Sequence, residues 1–325
     1  MRHWIGYVVM LVACTGCELP EKPYAPPVGL SVEAAMGPDY ANVVYFDFDM
    51  DTALLVRSRD VYDLQWSPED DAGFRLNSSG FGQFKRSESY DFHAELDTAE
   101  FPGTWQWSHE GAELFAEDLG SWTVWDSSGL SPVFAIDPGV DVSNQGRSMV
   151  RVQFEIDPNG VLVYWAPWSL TTSCDTLRME AIEGVQFMHF DNGVVEPTEV
   201  EPEYWDWSIG QYVDQDTMST TGEILPYVVR GVLIPESHAA KKTRRQWGQM
   251  YEEWAYAQVL EQRTNIIGFD WKYYSFTSSS YEVDTTISYL VERPDGIRYG
   301  LRFLGYYNDQ GLKGHAQSQW KVIVE

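Results

Sequence analysis

The sequence predicts an all-β protein, mainly antiparallel sheets with one or two short helices, arranged as two related modules in tandem. Three observations carry this: alternating apolar and polar segments that stop at Asp, Pro, Asn and Gly, an aromatic share of 15%, and a single convincing helical periodicity in 325 residues. Residues 149–156 alternate, stop at Asp157-Pro158-Asn159-Gly160 and restart as Val161-Leu162-Val163-Tyr164-Trp165, which reads as a hairpin. Residues 287–291 and 297–303, joined through Pro294-Asp295-Gly296, repeat the device. Fourteen Trp, nineteen Tyr and fifteen Phe suit strands and surfaces for flat ligands. The helix candidate is 241–263, where Trp247, Met250, Tyr251 and Trp254 recur at helical spacing, a stripe most simply read as core packing.

The N-terminus carries a different signal. Arg2 and His3 precede the apolar run of residues 4–13, too short for the roughly 20 residues of a bilayer crossing but suited to a signal-peptide core. Two cysteines follow at once. Cys14 and Cys17 are alternative lipidation sites, because the thiol is the atom that takes a diacylglycerol and both stand where a lipoprotein signal would end. Residues 1–17 are therefore expected to be signal peptide and attachment site. Residues 18–40 contain five prolines with little periodicity and read as a semi-extended tether. The remainder divides into 41–180 and 181–325, since Tyr45-Phe46-Asp47-Phe48 with Tyr62-Asp63-Leu64 matches Phe187-Met188-His189-Phe190-Asp191 with Trp205-Asp206-Trp207. Leu119-Gly120-Ser121-Trp122 and Ile267-Gly268-Phe269-Asp270-Trp271, and the turns after residues 154 and 303, repeat in the same order.

Charge and motif content exclude several functions. With 49 acidic against 22 basic residues, the net charge of −27 repels nucleic acid. Cys174 is the only other cysteine, so no internal disulfide framework exists and the core rests on apolar burial. The chain has no Gly-x-Ser-x-Gly elbow, no phosphate-cradling glycine loop and no His-Glu-x-x-His pair, so it is read as a non-enzyme. Glu69-Asp70-Asp71 and Glu252-Glu253 read as solvated faces.

The second half resembles the HmuY-like outer-membrane lipoproteins. The resemblance rests on Phe190-Asp191-Asn192-Gly193, Trp205-Asp206, residues 227–233, Ile267-Gly268-Phe269-Asp270-Trp271-Lys272-Tyr273-Tyr274 and Tyr299-Gly300-Leu301-Arg302-Phe303 before Gly311-Leu312-Lys313-Gly314. The first half resembles a divergent copy through Tyr45-Phe46-Asp47-Phe48, Tyr62-Asp63-Leu64 and Phe74-Arg75-Leu76-Asn77-Ser78. That resemblance implies an all-β fold, an outer-membrane, surface-facing location, haem as bound ligand and an outer-membrane transporter as partner. Haem needs an apolar slot and axial imidazole or thioether donors. Met218, in the polar run 214–222, His238, after the strand over 228–234, and Met250, on the aromatic stripe, are the candidate donors. Lys241 and Lys242 would pair with propionates, and His315 is a weaker donor. The competing readings are a carbohydrate-binding lipoprotein, since Trp and Tyr platforms also bind sugars, and a structural adhesin module.

Overall fold

The computed structural model describes residues 31–66, 74–108, 128–170, 172–182, 185–191, 193–195, 204–217 and 224–323. Along the chain run β1 (Val32–Ala35), β2 (Asn42–Phe46), β3 (Ala53–Ser58), β4 (Leu64–Trp66), β5 (Phe74–Leu76), β6 (Gln83–Arg86) and β7 (Gln106–Trp107). Next come β8 (Phe134–Asp137), β9 (Val150–Asp157), β10 (Gly160–Pro167), β11 (Asp175–Glu180), β12 (Gln186–His189), β13 (Gly193–Val195) and β14 (Trp207–Thr217). Then follow β15 (Ile224–Leu233), β16 (Ala239–Thr243), β17 (Lys272–Ser275), β18 (Ser280–Val283), β19 (Ser288–Glu292), β20 (Arg298–Tyr307) and β21 (Lys313–Val322). The pairings are antiparallel, which bears out the expected fold class. The one α-helix among the described residues, α1, is Glu252–Ala255.

Four larger sheets form two cores. The orders are β1-β21-β20-β19-β16, β15-β14-β2-β3, β11-β10-β9-β8-β6-β7 and β13-β12-β4-β5, beside the hairpin β17-β18. The first core joins Met36, Tyr40, Val44, Phe46 and Phe48 to Trp207, Ile209, Trp271, Leu301 and Phe303. Alternation along β2 sends Val44 and Phe46 inward, and Phe46 stacks on Trp207 with ring centroids 4.1 Å apart. The second core holds Leu64, Trp66, Phe74, Phe154, Val163, Met179, Met188 and Phe190. Each buried aromatic contributes roughly 1.5–3 kcal/mol through removal of its surface from water, so these rings dominate both cores.

Both expected hairpins are present. Strands β9 and β10 pair from Asp157↔Gly160 to Val150↔Pro167, and β19 and β20 pair from Glu292↔Arg298. The second turn uses Gly296 at φ +84°, a conformation that disfavours side chains bearing Cβ.

Three expectations change. Only α1 is α-helical within 241–263: β16 occupies its start, and Trp247–Gln249 is a 3-10 turn. Pairing of β16 with β19 outweighs local periodicity, and the aromatic stripe splits, with Met250 buried while Tyr251 stays exposed. The tether expected through 40 gives way to folded chain by residue 32. Strand β1 pairs with β21, and the Met36 N–H donates to the Gly314 carbonyl at 2.9 Å. Finally, the division at 180 does not follow the strand pairings, because β2 pairs with β14 and β4 with β12.

Candidate functional site

The two candidate donors among the described residues, His238 and Met250, sit in separate surroundings. His238 lies in the turn after β15, where its backbone N–H donates to the Pro235 carbonyl, and its side chain is buried. Its Nε2 stands 2.9 Å from Asp206 Oδ1 and its Nδ1 3.1 Å from Ser237 Oγ. Asp206 also accepts the Phe48 N–H on Oδ2 at 2.6 Å and faces Arg293 Nε at 3.3 Å. Both imidazole nitrogens are thus committed to a buried polar knot that joins β2 to β14 and the loop after β15. Met250 is buried with Ala255, Leu290 and Ile323, and a Cβ added to Gly300 would meet its Cε at 3.1 Å, so it fills a core gap.

The remaining assignments are also accounted for. Lys241 and Lys242 lie on β16, where Lys242 pairs with Asp270. His315, on β21, has Nδ1 2.6 Å from Glu33 Oε1 and Nε2 3.4 Å from Asn308 Nδ2. Met218, Cys14, Cys17 and Glu69-Asp70-Asp71 lie outside the described residues. No group of three His, Cys, Asp or Glu side chains among the described residues is arranged to hold a metal ion.

The structure instead assembles a different constellation, at the meeting of β2, β3, β4 and β12. Tyr45, Arg57, Tyr62, Phe187 and Trp205 are all half-buried. Tyr45 packs edge-on against Trp205 at 5.2 Å, and Tyr62 against Phe187 at 4.7 Å. Between them the Arg57 guanidinium lies 5.8 Å from the Tyr45 ring and 5.3 Å from those of Tyr62 and Phe187. Arg57 forms no ion pair with a carboxylate among the described residues, a notable state in a chain of net charge −27.

Strand alternation places His189 on the same face of β12 as Phe187, opposite the buried Met188. Its Nδ1 accepts the Asp191 N–H at 3.1 Å and lies 3.7 Å from carboxylate oxygens of Asp63 and Asp191. Its Nε2 has no partner among the described residues, and the side chain is 14% exposed. Beside it Arg147 forks onto Asp63, with Nη2 2.8 Å from Oδ2. Burial works against the Arg147 charge, but the bonds and attraction of Asp63, with Asp191, more than offset it and raise its pKa above the ordinary value. Alternation within Phe187-Met188-His189-Phe190 already hints at this face; the partners on β2, on β3 and just before β4 lie too far away in sequence to be read.

No family model and no curated protein matches the sequence. Among solved structures, the chain is similar to one described as apo PinO from Porphyromonas gingivitis, at 9% identity and a TM-score of 0.29, over 90% of this chain and 96% of that one. The fold described above rests on its own strand pairings.

Proposed function

We propose that this chain is a non-catalytic haem-binding protein of the outer membrane, lipid-anchored through Cys14 or Cys17, with its ligand seated on the face formed by Phe187, His189, Tyr62, Tyr45 and Trp205. The observation that carries the reading is an imidazole whose Nε2 meets no partner among the described residues, on the same strand face as an aromatic cluster holding an arginine that no described carboxylate pairs with. Haem presents an apolar disc, an iron that takes imidazole nitrogen, and anionic propionates. The rings suit the disc, Nε2 of His189 suits the iron, and Arg57 suits a propionate through its planar fork. Coordination at Nε2 requires the ring proton to move to Nδ1, which gives up the Asp191 N–H bond and lets Nδ1 turn its proton toward the Asp63 and Asp191 carboxylate oxygens 3.7 Å away. His238 and Met250 do not fit the role, because both are enclosed by their own partners.

Haemin titration of the full chain tests this. Saturable binding with a sharpened Soret band is expected, and His189→Ala should lose most of that signal while His238→Phe and Met250→Leu keep it. Arg57→Gln should weaken binding about tenfold, the loss of one charge-assisted contact. Absence of saturable binding in the unmodified protein overturns the haem reading and favours a sugar ligand on the same rings, whereas an unaltered His189→Ala spectrum overturns only the donor assignment.

A further inference from the structure

The two pairs of sheets follow one plan. The order β1-β21-β20-β19 matches β11-β10-β9-β8, and β3-β2-β14-β15 matches β13-β12-β4-β5: β11–β13 stand ten numbers after β1–β3, β14–β15 ten after β4–β5, and β19–β21 eleven after β8–β10. The local bonds repeat with the sheets. Asp206 N–H donates to the Phe46 carbonyl at 2.7 Å, and Asp63 N–H to the Met188 carbonyl at 2.8 Å. The Asp206 side chain accepts the Phe48 N–H at 2.6 Å, and that of Asp63 accepts the Phe190 N–H at 2.8 Å. Each aspartate then meets an arginine from the connection entering a long strand of the other sheet in its core, Arg293 before β20 and Arg147 before β9. The edge-on ring pairs Tyr45–Trp205 and Phe187–Tyr62 complete the match.

In this plan the matching sequence motifs lie crosswise. Tyr45-Phe46-Asp47-Phe48 and Tyr62-Asp63-Leu64 are near neighbours in the first copy, yet β2 pairs with β14 of the second copy, and β12 of the second pairs with β4 of the first. Likewise β1 pairs with β21, and β11 with β10. We infer that the chain is a duplicated module whose copies have reciprocally exchanged their first three strands, β1–β3 for β11–β13, so that neither core closes without an arm from the other copy.

Exchange preserves the interfaces a closed module would have, so the choice between the two arrangements falls to the connections. The β3–β4 connection is held open. Asn77 Nδ2 donates to the carbonyls of Arg59 at 2.6 Å and Tyr62 at 2.8 Å. The buried Arg59 guanidinium donates to the Ser79 carbonyl at 2.9 Å, the Asp141 carbonyl at 2.7 Å and Asn144 Oδ1 at 3.0 Å. These partners all lie beyond β4 and fix the connection away from the fold-back that would lay β2 on β4. The face carrying Phe187 and His189 is itself a product of the exchange, since β12 meets Tyr62 and Asp63 only through it. The inference stands whether or not that face binds haem.

Cutting the full chain at a protease site inserted between Leu170 and Ser173 separates β1–β10 from β11–β21 without touching a strand. The cut protein should elute as one species in native buffer and as two in denaturant. A second measurement distinguishes interlocking from simple docking. With Cys14, Cys17 and Cys174 changed to Ser, Glu33→Cys with Gln317→Cys should form a disulfide that keeps the fragments joined in denaturant, because these side chains are bonded at 3.1 Å across β1 and β21. Should that pair disturb the fold, Glu33→Cys with His315→Cys tests the same contact. Fragments that elute apart in native buffer, or that co-elute without forming either disulfide, overturn the inference.

Discussion

Lys272→Met should stabilise this protein, by an amount that depends on pH. Lys272 opens β17 and is 8% exposed. Burial, then the neighbouring Arg230 charge, pull its pKa from 10.5 down to about 7, against the opposing pull of Asp270. That difference of about 3.5 pH units corresponds to roughly 5 kcal/mol at about 1.4 kcal/mol each. The unfolded chain binds the proton below 10.5 and the folded one only below about 7, so the penalty is full under pH 7 and vanishes as pH rises to 10.5. The ammonium recovers some of this by donating to the Arg230 carbonyl and by lying 4.5 Å from the Trp271 ring and 5.0 Å from that of Tyr306. Allowing about 1 kcal/mol for the hydrogen bond and 1–2 kcal/mol for the rings, Met should gain about 2–3 kcal/mol at pH 6. At pH 9.5 the residual penalty is only about 1.4 kcal/mol, and the gain should shrink below about 1 kcal/mol. Urea unfolding of both proteins at the two pH values, followed by tryptophan fluorescence, measures the difference. A gain that is equal at both pH values, or a loss at pH 6, refutes the reasoning.

Three further outcomes follow from the same contacts. His238→Ala should cost about 2–3 kcal/mol in urea unfolding, since it strips one partner from the buried Asp206 carboxylate. Gly160→Ala should destabilise by at least about 2 kcal/mol on thermal unfolding, because the new Cβ would stand 2.0 Å from the Met179 carbonyl oxygen on the paired strand and backbone must move. Cys14→Ala with Cys17→Ala should move the protein from the detergent phase to the aqueous phase on phase partitioning and abolish acyl labelling; persistent acylation contradicts the N-terminal reading.

Features that depend on neighbours along the chain are legible in the residues. Alternation and the Asp-Pro-Asn-Gly and Pro-Asp-Gly turns specify the hairpins β9–β10 and β19–β20, because a strand's inward face repeats every second residue and a tight turn fixes its register. The repeated Phe-Asp and Tyr-Asp or Trp-Asp motifs likewise marked Asp63 and Asp206 before their partners were known. Long-range pairing sets the rest. The helical spacing of Trp247, Met250, Tyr251 and Trp254 yielded to pairing of β16 with β19, since sheet hydrogen bonds and burial outweigh the small propensity differences of a short segment. His238 and Met250 looked like donors because sequence shows residue type but not enclosure, whereas His189 looked like an ordinary strand residue. Its surroundings arise only when β12 lies beside β4 and brings Asp63 to His189 and Tyr62 to Phe187 from more than a hundred residues away. Motif spacing reads equally well as two closed modules or two exchanged ones, and the distinction rests on how Asn77 and Arg59 hold one short connection open.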